Sequence, residues 1–122
     1  MAKVMIVDDS AYARRVHGAM LTRAGHTVVE ASTGSGAIEL FCQEHPDLVL
    51  LDLSMEDIGG IEVLRTLRQI EPDARVIVVS ADVQRSTETS VIEAGAVRFL
   101  AKPANEAKLL QVIDECAGTS TP

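Results

Sequence analysis

LVLLDLSM, at Leu48–Met55, decides how this chain folds. Four apolar residues, Leu48–Leu51, run straight into Asp52. Such a run is too short for a helix, and its unbroken apolarity is that of a strand covered on both faces. The pattern recurs in both directions along the chain. Val4–Val7 is followed by Asp8 and Asp9, Val76–Val79 by Ser80, and Val97–Ala101 by Lys102. Val28–Val29 marks a fifth strand that stands as the exception, and an edge position would keep it apart from the others.

Amphipathic stretches lie between the strands. Their apolar stripes are Ala13, Val16, Met20 and Ala24, then Ala37, Ile38, Phe41 and Cys42, then Ile61, Leu64, Leu67 and Ile70. Val91, Ile92 and Ala94 make a short stripe, and Leu109, Val112, Ile113 and Cys116 the last. This spacing predicts five helices. Gly25, the Pro46 region, Pro72 and Gly95 are the stops, and Ser10, Ser32 or Thr33, and Asn105 are the candidate caps. The segment Asp82–Ser90 is polar and the least patterned. It reads equally as a loosely held, movable helix or as an ordinary surface one. Strict alternation of strand and helix predicts an α/β fold, a parallel sheet with helices on both faces and right-handed crossovers.

With 122 residues the chain fits a single domain at 1–122, with its core at about 3–117 and a frayed tail at 118–122. Aromatic residues are only Tyr12, Phe41 and Phe99, so the core is aliphatic. A formal net charge of −7 argues against direct nucleic-acid binding, because phosphate backbones would be repelled. No apolar run approaches the ~20 residues of a membrane span. Asp8 and Asp9 interrupt the first apolar run too early for a signal peptide. Cys42 and Cys116 lack metal spacing and read as reduced, semi-buried thiols of a cytoplasmic protein.

The polar strand ends carry the chemistry. In an open α/β sheet the binding crevice lies beyond the carboxyl ends of the strands, so Asp8, Asp9, Asp52, Ser80 and Lys102 should converge. Three adjacent carboxylates repel, and one would tend to keep its proton unless a cation joins them. Oxygen ligands favour Mg²⁺, with Mn²⁺ as its substitute, and the lack of His and Cys at these strand ends disfavours zinc. Carboxylates, a lysine and a hydroxyl around a hard cation suit phosphoryl transfer, with Asp52 attacking phosphorus to give an acyl phosphate. Any one of these residues alone would more often be a helix cap. Four strand ends of this kind, with Lys102 set before Pro103, make capping an insufficient account.

At these residues the sequence resembles the receiver domains of two-component response regulators, the CheY-like family. The resemblance rests on VDDS at Val7–Ser10, LVLLDLSM at Leu48–Met55, VVSA at Val78–Ala81 and FLAKP at Phe99–Pro103, in order, and runs from about Lys3 to Ala117. It implies a flavodoxin-like sheet of order 2-1-3-4-5. It implies Asp52 as the phosphoacceptor, with Asp9 and Asp52 as direct Mg²⁺ ligands, Asp8 acting through water and the Ser54 backbone carbonyl completing the set. Ser80 would be the switch hydroxyl, Lys102 the ion-pairing lysine before a cis Lys102–Pro103 bond, and Phe99 the aromatic switch, although Phe99 also reads as core. A histidine kinase or histidine phosphotransfer protein would donate the phosphoryl group. The signal would pass in trans to a protein target through the face of the fourth helix, fifth strand and fifth helix. The domain would be a monomer or a weak phosphorylation-dependent dimer. It would promote its own phosphorylation and dephosphorylation without turning over external substrates.

Two positions depart from the family pattern: Glu56 where Pro is usual, and Gly59 where Asp is frequent. They read either as loop drift or as altered metal affinity and phosphoryl lifetime, with Gly59 loosening the loop. Three other functions fit less well. A haloacid-dehalogenase-type phosphatase wants an Asp where Ser54 stands, an unphosphorylated binding module would not need the five polar residues, and a flavodoxin wants a phosphate-cradling loop at Asp8–Ala11. His17, His26 and His45 show no ligand spacing and are expected at the surface or at helix ends. Arg14 and Arg15 are expected to be solubilising charges or contacts to a kinase.

Overall fold

A computed structural model describes residues 2–54 and 57–117. Glu56, one of the two departures from the family pattern, and the tail at 118–122 lie outside the described residues. The order of elements is β1 (Lys3–Val7), α1 (Ala11–Arg23), β2 (Thr27–Ala31), α2 (Gly34–Glu44), β3 (Leu48–Asp52), α3 (Gly60–Ile70), β4 (Val76–Ser80), α4 (Arg85–Glu93), β5 (Arg98–Ala101) and α5 (Glu106–Ala117). The strands form one parallel sheet of order β2-β1-β3-β4-β5, as expected, with β2 at an edge.

Side-chain alternation along the strands sorts the core into two layers. Met5, Val7, Val49, Leu51, Val76 and Val78 meet Ala37 and Phe41 of α2, Val63, Leu64 and Leu67 of α3, and Val91 of α4. Val4, Ile6, Leu48, Leu50, Ile77, Val79 and Leu100 meet Leu21 of α1 and Leu109, Val112 and Ile113 of α5. Every residue of β3 and β4 is buried, which explains their unbroken apolar runs. Edge strand β2 buries only Ala31 and keeps Thr27 and Glu30 exposed.

The helix stripes hold with adjustments. On α1 the buried residues are His17, Gly18 and Leu21, while Ala13, Val16, Met20 and Ala24 are half-buried flanks. The helix thus sits rotated by about one position from the apolar count, because a glycine and a histidine fill its inner face. Cys42 is exposed, not semi-buried. The polar helix α4 inserts only Val91 into the core. The caps fall on Ser10, Thr33 and Asn105, whose side chains accept from the amides of Ala13, Gly36 and Lys108.

Gly60 opens α3 where helix and strand nearly touch. A Cβ there would lie 2.6 Å from Leu53 Cα and 3.1 Å from the Asp52 carbonyl oxygen. Gly59 has φ −59°, open to any residue, and a Cβ there would meet nothing within 4 Å. The backbone there does not require glycine. Gly60→Ala should lower stability by about 1–3 kcal/mol through forced overpacking, while Gly59→Ala should stay within about 0.5 kcal/mol of the parent. Urea midpoints at unchanged slope measure both.

Candidate functional site

The register builds the site. Val7 pairs with Leu51, and Asp52 pairs with Val79, so Asp8 and Asp52 emerge level on neighbouring strands. Both share the side-chain parity of the α1/α5 layer. Asp8 and Asp52 are buried, while Asp9 is exposed. One carboxylate oxygen from each of Asp8, Asp9 and Asp52 lies within 4.8 Å of the other two. Lys102, just past β5, reaches back over β4 and β3. Its Nζ donates to Asp8 Oδ2 at 2.9 Å and lies 3.5 Å from Asp52 Oδ2.

Local hydrogen bonds fix these groups. Asp8 Oδ1 accepts from the Ser10 amide at 2.9 Å, and the Asp8 amide donates to the Ala31 carbonyl at 3.2 Å. The Arg14 guanidinium donates to the Asp8 carbonyl at 2.6 Å and to Glu30 Oε1 at 3.2 Å. Arg14 is therefore part of the scaffold, and only Arg15 of the pair is exposed. The Ser54 amide lies near enough to the Asp52 carboxylate to favour its charge. The Lys102–Pro103 bond is cis, as expected. The Lys102 amide donates to the Ser80 carbonyl at 2.9 Å.

Ser80 is buried, and its Oγ accepts from the Asp82 amide at 3.0 Å. No Ser80 hydrogen bond to a carboxylate occurs among the described residues. Asp82 carries the connection onward. Its Oδ1 accepts from the Gln84 amide at 3.1 Å, and its Oδ2 accepts from Thr87 Oγ1 at 2.7 Å on α4. Those bonds hold its carboxyl below the ordinary range. Phe99 is half-buried against the α2/α3/α4 layer, away from the carboxylates.

Burial raises the pKa of Asp52, and Asp8 adds to the rise, against Lys102 and the Ser54 amide. Burial alone would lower Lys102, but hydrogen bonds and charge from Asp8 and Asp52 prevail and raise it. His17 is buried on α1, contrary to its expected place at the surface or a helix end. Burial and then Lys102 lower its pKa, outweighing Asp8 and Asp52. The other two histidines are better described as helix-end residues. The Nδ1 of His26 accepts from the Ala2 amide at 3.2 Å, and His45 caps α2 in the left-handed region at φ 48°.

The donor set fits a hard divalent cation. It is all oxygen and partly desolvated, and its three carboxylate oxygens lie within 4.8 Å of one another. The family model for the response regulator receiver domain matches residues 4–114. The chain belongs to this family. The receiver is 37% identical to the chemotaxis protein CheY of Bacillus subtilis over 114 residues, covering 93% of this chain and 95% of that one. A CheY-like receiver domain protein from Methanospirillum hungatei superposes with a TM-score of 0.93 at 25% identity, covering 98% of this chain and 95% of that one. The Borrelia burgdorferi CheX–CheY–BeF₃–Mg²⁺ complex matches with a TM-score of 0.89 at 29% identity, covering 93% and 87%. The family is one of signalling proteins, not of turnover enzymes, and its receivers generally bind Mg²⁺ and meet kinases and downstream proteins. No helix among the described residues is long and apolar enough to cross a membrane.

Because the Asp52 pKa is raised, the folded state holds its proton more tightly than the unfolded chain. That contribution is complete below the unfolded value and disappears as pH rises through the folded one. Ionised Asp52 therefore weakens the metal-free fold at neutral pH. Asp52→Asn should raise Tm by a few degrees at neutral pH, with the gain shrinking toward about pH 4. An unchanged or lower Tm for the variant across that range would contradict the assignment.

Proposed function

We propose that Asp52 accepts a phosphoryl group from a phosphohistidine on a histidine kinase or a histidine phosphotransfer protein. The observation that carries this reading is the Lys102 ammonium poised between Asp8 and Asp52 beside the three-carboxylate cluster. Asp8, Asp9 and Asp52, with the Ser54 carbonyl, would hold the Mg²⁺, which when bound supplies positive charge against the phosphoryl oxygens. Mn²⁺ would substitute for it.

An Asp52 carboxylate oxygen attacks phosphorus in line. The new O–P bond forms as the N–P bond to the donor imidazole breaks, and the electron pair returns to the ring nitrogen. No proton leaves Asp52, so the site needs no general base. Lys102 turns from the carboxylates to a phosphoryl oxygen. Ser80 already accepts from the Asp82 amide, and its own hydroxyl proton serves as donor to another phosphoryl oxygen. Hydrolysis of the acyl phosphate at the same site resets the domain.

The signal leaves along the bonded path from Ser80 through Asp82 to Thr87 of α4. Weak anchoring of α4, with Val91 its sole buried residue, supports movement at low cost. Phe99, on β5 behind that helix, follows the rearrangement. The surface of α4, β5 and α5 then meets a protein target in trans, as a monomer or a weak dimer of phosphorylated domains in the cytoplasm.

Acetyl phosphate tests the acceptor. With Mg²⁺, the wild type should gain one phosphoryl mass by intact mass spectrometry, while Asp52→Asn should gain none and a chelator should abolish the gain. An equal adduct on Asp52→Asn would place the acceptor elsewhere.

A further inference from the structure

We propose that Asp57 is a positioning residue that pins the metal-binding loop to the start of α2. This inference rests on the Mg²⁺ site proposed above. Asp57 is exposed on the loop joining β3 to α3, three residues beyond Ser54. Nothing in the sequence marks it as more than a solvated charge. In the fold its Oδ1 accepts from the Gly34 amide at 2.8 Å, and its Oδ2 accepts from the Ser35 amide at 3.1 Å and from Ser35 Oγ at 2.8 Å.

These bonds are not an ordinary helix cap. Thr33 already serves α2 from within, its hydroxyl accepting from the Gly36 amide at 3.0 Å. Asp57 comes from another loop, 22–23 residues along the chain, and takes the two amides that Thr33 leaves. A carboxylate facing helix amides is favoured by both charge and direction. The same bonds hold the Asp57 carboxyl far below the ordinary range, so the clamp stays ionised in any mild buffer.

The packing beneath the clamp agrees. A Cβ on Gly34 would fall 2.9 Å from Ile58 Cβ and 2.9 Å from Val63 Cγ2, so the helix start lies directly against the loop. At the loop's base the Gly60 amide donates to the Leu53 carbonyl at 3.3 Å. Ser54, whose amide favours the charge on Asp52, lies between the base and the clamp. The turn that receives Asp57 also steadies the other side of the site, through the bond from the Asp8 amide to Ala31. One turn, from Ala31 to Ser35, thus braces both a metal carboxylate and the loop carrying the Ser54 carbonyl. Outer partners of this kind raise affinity by fixing ligands before the ion arrives.

Calorimetric titration with Mg²⁺ should show affinity lower by about tenfold in Asp57→Ala, the low end for an outer-shell partner. Asp57→Asn, which retains one acceptor, should fall between that variant and the wild type. Thr33→Ala removes a bond from the same helix end without touching the loop, and should keep wild-type affinity. In metal-free protein, amide hydrogen exchange at Leu53, Ser54 and residues 57–60 should quicken in Asp57→Ala but not in Thr33→Ala. Unchanged affinity in Asp57→Ala, or an equal loss in Thr33→Ala, overturns the proposal. A wild type that takes up no Mg²⁺ overturns the metal reading and this inference together, while unchanged exchange in Asp57→Ala overturns the clamp alone.

Discussion

The contact of the Lys102 ammonium with Asp8 and Asp52 is the constraint on which the rest of the site depends. Two carboxylates on adjacent strands could not remain buried so close together without a cation between them. Lys102 compensates only part of the charge. With Asp9 included, two negative charges remain in surplus, the charge of one divalent ion. The metal-free site is thus balanced enough to fold and unbalanced enough to attract a ligand. Geometry sharpens this, because the lysine comes from the far side of the sheet and can turn aside without disturbing either strand.

Around that centre the molecule divides into stiff and loose parts. β1, β3 and β4 are packed on both faces and deliver their end residues to fixed places. The turn after β2 adds a brace, although β2 itself contributes no side chain to the cluster. On the other flank, α4 is held by one buried valine and by the Asp82 bonds to Thr87 and the Gln84 amide. A perturbation at Asp52 therefore meets resistance toward α2 and compliance toward α4. This asymmetry of packing would give the proposed signal its direction.

Much of this was legible in the sequence, and what was not has a common physical cause. Leu48–Leu51 and Val76–Val79 announce doubly covered strands because burial on both faces leaves no polar positions. Asp8, Asp52 and Lys102 are legible because each interrupts such a run at its end. Asp57, Arg14 and Asp82 were not, since each acts on a backbone group distant in sequence or on a neighbouring turn, and backbone partners leave no mark on residue type. His17 was misplaced because a polar residue on an amphipathic helix is assigned outward by default. It takes the inner face beside Gly18, beneath the charged rim, where a neutral imidazole can be buried. Gly59 carries no conformational demand, since its backbone lies where any residue could stand.

The strand order has a consequence for the birth of the protein. Asp8 and Asp52 meet once β3 pairs with β1, but their counter-charge arrives with the fifth strand, near the end of the described chain. A nascent chain emerging from its amino terminus would hold two facing anions with nothing to neutralise them until Lys102 appears. Such a half-made sheet is self-repelling at its rim. Closure of the acidic pocket would then come with completion of the sheet, favouring cooperative assembly over a stable fragment.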